Sequence, residues 1–167
     1  MLTARTADGI PYRIRAIRPD DAQRERDFIA AMSPQSRYQR FQNSLREPGD
    51  ALIASLVNVD RHRTMALVAV VGAGDTERII GVARYAADAD GGCEFAVAVA
   101  DDWQGRGIGR TLVPLLFEHA AKQDFTTIYG TVLADNPRMI DFARWLGLKV
   151  ESPRRGETTV RAWRALR

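Results

Sequence analysis

Residues 101–112, Asp-Asp-Trp-Gln-Gly-Arg-Gly-Ile-Gly-Arg-Thr-Leu, carry glycine at every second position from Gly105 to Gly109. An apolar run, residues 93–100, precedes them, and Leu112, Leu115, Leu116 and Ala120 follow at helical spacing. A strand, a glycine turn and a helix start in that order suit an anion. Residues without a β-carbon let backbone N–H groups approach a phosphate, and the helix N-terminus adds unsatisfied donors and partial positive charge. The chemistry expected here is binding of a phosphorylated cofactor. A dinucleotide fingerprint, Gly-x-Gly-x-x-Gly, fails because its sixth position is Arg110 counted from Gly105 and Leu112 counted from Gly107. A P-loop fails too: Gly109 is followed by Arg110-Thr111, and Gln104 holds the place of the first glycine.

What remains, Gln104-x-x-Gly107-x-Gly109, resembles the loop with which the GNAT superfamily, the Gcn5-related N-acetyltransferases, grips the pyrophosphate of acetyl-CoA. The resemblance implies acetyl-CoA as cofactor, held by Gln104, Gly105, Arg106, Gly107, Gly109 and Arg110. Asn136-Pro137-Arg138-Met139 and Trp145-Leu146-Gly147-Leu148 are similar to the family's late helix, with leucine in place of the usual final aromatic. Asn136 is then both an N-cap and a contact for the pantetheine arm. Ile17-Arg18-Pro19-Asp20-Asp21, the stretch from Ser33 to Phe41 and Glu94-Phe95-Ala96-Val97 resemble the acetyltransferase domain of bacterial Pat-type protein lysine acetyltransferases.

Acetyl transfer to an amine requires a base, because an ammonium has no free lone pair. Glu94 is the candidate catalytic residue: it is the one ionisable side chain in residues 93–100, and burial in that strand is expected to raise its pKa toward the working pH. Strand alternation puts Glu94, Ala96 and Ala98 on one face and Phe95, Val97 and Val99 on the other. A β-bulge, common in this strand in the family, would reset that phase. Backbone N–H groups of Val97 and Val99 are candidates to pair with pantetheine as an added strand and to stabilise the oxyanion. Many GNAT enzymes place a thiolate-protonating tyrosine seven residues after the helix asparagine; that position is Ala143, so the general acid is missing or elsewhere. His62 and His119 lack metal-ligand spacing, so no metal is expected, and Cys93 reads as an inert strand-start thiol. Trp145 and Trp163 read as core or near-core.

The elements that must position these groups follow from periodicity and caps. Strands are expected at 12–17, 65–71, 78–86, 93–100, 126–133 and 158–165. Helices are expected at 21–32, 34–42 behind the Ser33-Pro34 start pair, 50–57, 108–122, and 137–146 with Asn136 as N-cap. The order implies one mixed α/β domain over residues 12–167, a mostly antiparallel central sheet flanked by helices, with residues 1–11 as an N-terminal tail. A chain of 167 residues, 46% hydrophobic, supports a single core. Its net charge of +3 comes from dispersed arginines, which argues against nucleic acid as partner. Arg5 and Asp8 interrupt any signal-peptide pattern, no stretch has the length of a membrane span, and one cysteine excludes an internal disulfide; a cytoplasmic location is expected. Arg37 and Arg40, one helical step apart, would suit an acidic protein surface. The resemblance to the Pat-type enzymes implies a protein lysine as the preferred acceptor, acetylated by direct attack in a ternary complex. Small-molecule amines, protein N-termini, and a CoA-binding regulatory module without turnover are the alternatives. The oligomeric state stays open, with a homodimer as one option.

Overall fold

The computed structural model describes residues 1–36 and 48–167. Strands β1 (Leu2–Arg5) and β2 (Pro11–Ala16) form a hairpin, followed by α1 (Ala22–Ala31), α2 (Asp50–Val57), β3 (Thr64–Val71), β4 (Arg78–Ala87) and β5 (Cys93–Val99). The second half holds α3 (Ile108–Ala121), β6 (Thr127–Leu133), α4 (Pro137–Trp145), β7 (Lys149–Val150) and β8 (Thr159–Ala165). One eight-stranded sheet results, in the order β1-β2-β3-β4-β5-β6-β8-β7. Every neighbouring pair is antiparallel except β5 with β6. The mixed α/β class and the mostly antiparallel sheet agree with the expectation.

Strand β3 reads as a continuous apolar run because helices cover both of its faces. Ile17, Phe28, Ile29, Ile53 and Val57 close over Val68, Val70 and Val82 on the side of α1 and α2. Leu112, Leu116 and Phe117 of α3, with Ala143 of α4, cover Phe95 and Ile128 on the other. Where β2 leads into α1, Arg15 donates to both oxygens of the fully buried Asp21, at 2.7 and 2.8 Å, and Asp21 also accepts from the Arg18 N–H at 2.8 Å.

Two short edge strands depart from the sequence reading. Residues 1–11 were expected as a tail, but Leu2–Arg5 pairs with β2, Leu2 opposite Ile14 and Arg5 opposite Pro11. β7 pairs with β8 through Lys149 and Val150 alone. Strands of four and two residues are too short to show a period. The expected helix over 34–42 begins as read, with the Ser36 N–H donating to the Ser33 Oγ at 3.1 Å, but residues 37–42, including Arg37 and Arg40, lie outside the described residues.

Candidate active site

Strands β5 and β6 run parallel, yet only Cys93 with Ile128 and Glu94 with Tyr129 pair. Beyond that point the sheet splays, and the downstream halves of both strands face an opening. Which backbone groups of β5 enter it is fixed by two bonds to β4 and its extension: Asp88 N–H to Gly92 O at 2.9 Å and Ala100 N–H to Ile80 O at 2.8 Å. The register between them is unbroken. Even-numbered residues of β5 therefore turn their N–H and C=O toward β4, and Phe95, Val97 and Val99 turn theirs into the opening. No β-bulge resets the phase of β5 against β4, and the register shift lies between β3 and β4, at Ala69/Val70.

With the phase intact, Glu94, Ala96 and Ala98 lie on the face covered by α1 and α2, where Ala98 joins the apolar cluster. Glu94 sits at the mouth of the splay and accepts a hydrogen bond from Thr131 Oγ1 of β6 at 3.1 Å. Its expected burial does not hold: the side chain is exposed, because the diverging strands leave this part of the sheet face uncovered. Beside it opens a cleft of about 520 Å³, lined by Asp88, Tyr129, Thr131, Glu151 and Arg161 among others. The Arg161 guanidinium lies 4.3 Å over the Tyr129 ring. The N–H groups of Asp90 and Gly92 hold the Asp88 carboxyl below the usual carboxylate range, while burial, then the bond to Asp88, push the Tyr129 phenol up.

The glycine loop follows Val99 through one 3-10 turn, Asp101–Trp103. Gly105 and Gly107 have φ of +75° and +89°, in the left-handed region that disfavours a β-carbon. A β-carbon at either would meet no protein atom within 4 Å, so the cradle is open as well as turned. Gly107 is the N-cap of α3 and supplies no side-chain cap, which leaves the N–H groups of Ile108, Gly109 and Arg110 without a protein acceptor from the cap. Open donors on an uncapped 14-residue helix fit a pyrophosphate. Gly109 has ordinary helical backbone, and its β-carbon would rest 3.6 Å from Phe142.

Distant residues hold the loop in place. Gln104 donates from Nε2 to the Val99 carbonyl at 3.0 Å. Arg106 accepts at its carbonyl from the Ala7 N–H at 2.8 Å, and its guanidinium lies 3.7 Å from Asp8 and 5.0 Å over Trp103. Asp101 accepts from Ser33 N–H at 3.2 Å and from Ser36 Oγ at 2.8 Å. Ala7, Asp8 and Ser36 escaped the sequence reading because they lie far along the chain from the loop they support. Arg110 is exposed, its guanidinium 4.8 Å over Trp145. Trp145 was expected in or near the core, but it is 50% exposed.

Asn136 stands just past the end of β6, across the splay from the end of β5, and its Oδ1 caps α4 by accepting from Met139 N–H at 3.2 Å. The cap uses the oxygen and leaves the Nδ2 donors for other work. Ala143 is buried in α4, so no hydroxyl stands at that position. Cys93 is buried and free, its thiol pushed up to about 12 by burial. Among the described residues no group of three His, Cys, Asp or Glu could hold a metal ion, and no helix is long and apolar enough to cross a membrane.

Residues 26–148 match the model of the acetyltransferase (GNAT) family. An acetyltransferase of Pseudomonas aeruginosa is 38% identical over 141 residues, 84% of this chain and 76% of that protein. The acetyltransferase Pat of Mycolicibacterium smegmatis is 32% identical over 130 residues, 77% of this chain but 38% of that longer protein. The crystal structure of the GNAT domain of S. lividans PAT superposes with a TM-score of 0.87 at 25% identity, over 98% of this chain and 96% of that one. The chain belongs to the GNAT family of acetyltransferases and is an acetyl-CoA-dependent N-acetyltransferase.

Proposed function

We propose that this acetyltransferase modifies a lysine side chain on a folded protein by direct attack in a ternary complex. The observation that carries the reading is the position of Glu94: exposed, at the mouth of the splay, and beside an open cleft rather than an enclosed pocket. An exposed mouth lets a side chain on a large partner reach in. The sequence resemblance to the Pat-type protein lysine acetyltransferases supports the same acceptor class, and an acetyltransferase Pat and a PAT GNAT domain are among the similar proteins.

In this reading the N–H groups of Ile108, Gly109 and Arg110, with Gln104, Gly105, Arg106 and Gly107 shaping the turn, hold the pyrophosphate of acetyl-CoA. Val97 and Val99 offer their N–H groups to the pantetheine arm and to charge building on the acyl oxygen, and Asn136 offers Nδ2 from the opposite wall. When bound, acetyl-CoA supplies the activated acyl group. Glu94 takes the ammonium proton, directly or through one water, which frees the nitrogen lone pair to bond to the acyl carbon as the C–S bond breaks, and the second nitrogen proton passes through water to the departing thiolate. Ala143 gives no acid, and a CoA thiolate leaves without one at modest cost, since a free thiol titrates near pH 8.5. Four carboxylates of the cleft lining, Asp88, Asp90, Glu151 and Glu157, against two arginines, Arg154 and Arg161, favour a cationic acceptor over an anionic one.

The experiment is incubation with labelled acetyl-CoA and either a folded acyl-CoA synthetase or a panel of polyamines and aminoglycosides. Labelled lysine on the protein, with turnover that falls as salt rises, is the expected result. Efficient acetylation of the small amines with no labelled protein overturns the acceptor and leaves the acetyltransferase intact.

A further inference from the structure

Trp145 is the most exposed tryptophan of the molecule and stands on the outer face of α4. Two neighbours pack against it. One side stacks with Phe142, ring centroids 5.9 Å apart at 21°, and the Arg110 guanidinium packs 4.8 Å from its ring. Phe142 in turn lies against Gly109, so the ring belongs to the same wall as the first turn of α3. Seating a half-exposed indole against an arginine leaves apolar area in water that folding does not require.

The geometry points to Trp145 as a stacking platform for the adenine of CoA, with Arg110 placed for the 3′-phosphate. This rests on the proposed position of the pyrophosphate at the glycine loop. With the pyrophosphate there and the pantetheine arm running back into the splay, the adenosine end must leave the loop on one of two sides. The side of the β1–β2 turn is unsuited: Trp103 is only partly exposed, and the Arg106 guanidinium over its ring is already paired with the Asp8 carboxylate at 3.7 Å. The α4 side offers a tryptophan with accessible surface and two cations, Arg110 and Arg138, both exposed. Asp141, the carboxylate of α4 itself, is paired with Arg144 at 3.8 Å. A purine stacks on an aromatic face without needing base-edge hydrogen bonds, and a cation nearby accounts for a phosphate.

Titration calorimetry of the full chain with CoA, 3′-dephospho-CoA and 4′-phosphopantetheine tests this. Trp145→Ala should weaken CoA about tenfold or more while phosphopantetheine, which lacks the base, stays within about twofold. Trp145→Phe should recover most of the loss. Arg110→Ala should lower the preference for CoA over 3′-dephospho-CoA. Unchanged CoA affinity in Trp145→Ala, or an equal loss on CoA and phosphopantetheine, overturns the platform. Failure of the loop assignment has a different signature, wild-type affinity for every one of these ligands in Gly107→Ala.

Discussion

Replacing Gly107 by alanine separates what the loop does for folding from what it does for the cofactor. At φ +89° a β-carbon costs about 1–2 kcal/mol, partly offset by the stiffer unfolded chain, about 0.4–1 kcal/mol. The net loss is about 1 kcal/mol, and Tm should fall by about 2–4 °C in a chain of this size. No protein atom lies within 4 Å of the added carbon, so the fold has no clash to relieve. The carbon projects into the open cradle where N–H groups would meet the pyrophosphate. Displacing two charge-assisted hydrogen bonds at about 1.5 kcal/mol each removes about 3 kcal/mol, a loss of about 100-fold in Kd. At a CoA concentration 100 times the wild-type Kd, the ligand stabilises the wild type by about 2.7 kcal/mol and the variant by about 0.4 kcal/mol. Thermal unfolding with and without CoA therefore reads both effects in one preparation. Gly109→Ala is the folding control: its backbone is helical and its β-carbon would rest at ordinary contact with Phe142, so Tm should hold or rise. A Gly107→Ala protein that keeps the full CoA-induced shift refutes the assignment of the loop to the pyrophosphate.

Glu94→Gln should leave CoA affinity within a few fold and lower kcat about 100-fold or more, measured on a true acceptor; near-wild-type kcat assigns proton removal elsewhere. Cys93, pushed up to about 12 by burial, should resist iodoacetamide at pH 8 in the folded protein and react once denatured, as followed by mass spectrometry. Asp21→Asn strips a buried partner from Arg15 and should cost about 3–5 kcal/mol by denaturant unfolding. Asp21 and Glu77 are held below their ordinary values, Asp21 by Arg15, Arg18 and Arg24 against the opposing effect of burial, Glu77 first by Arg15. Their stabilisation is present above the unfolded carboxylate pKa near 4 and is lost as pH falls below it, so Tm should hold near neutrality and drop steeply in that acid range.

Elements with a clear period were legible: α2 was read at 50–57 and lies at Asp50–Val57, and α3 and β6 differ from their readings by a residue at one end. The loop was legible from glycine spacing, because positive φ and an uncapped helix start are local properties. What failed was long-range. The apolar run around Glu94 signals a buried strand, and six of its seven residues are buried or half-buried, but burial of the seventh depends on where β6 stops pairing, which no residue of β5 encodes. Trp145 is a core residue by type and a surface residue by position: Phe142 stacks with it and Arg110 lies over its ring, yet half of it stays exposed. The support of Asp101 by Ser36 spans 65 residues of chain and has no local signature.

One parity along β5 assigns two different tasks. Odd-numbered residues turn backbone donors into the splay and their side chains toward α3, where Phe95 packs edge-on against Phe117 at 5.0 Å. Even-numbered residues give their backbone to β4 and their side chains to the opposite face, where Glu94 stands. The acyl carrier and the acceptor must approach from different directions, and in the proposed mechanism this alternation meets that need without a bulge. Ala98 on that same face packs into the apolar cluster under α1 and α2, which leaves Glu94, at the end where the sheet splays, as the exposed member of the row. The exposure of Glu94 is then no defect in a base. Its partner is an ammonium arriving from water, and a carboxylate already buried before the acceptor arrived would have paid its desolvation early and lost the charge that draws the cation in.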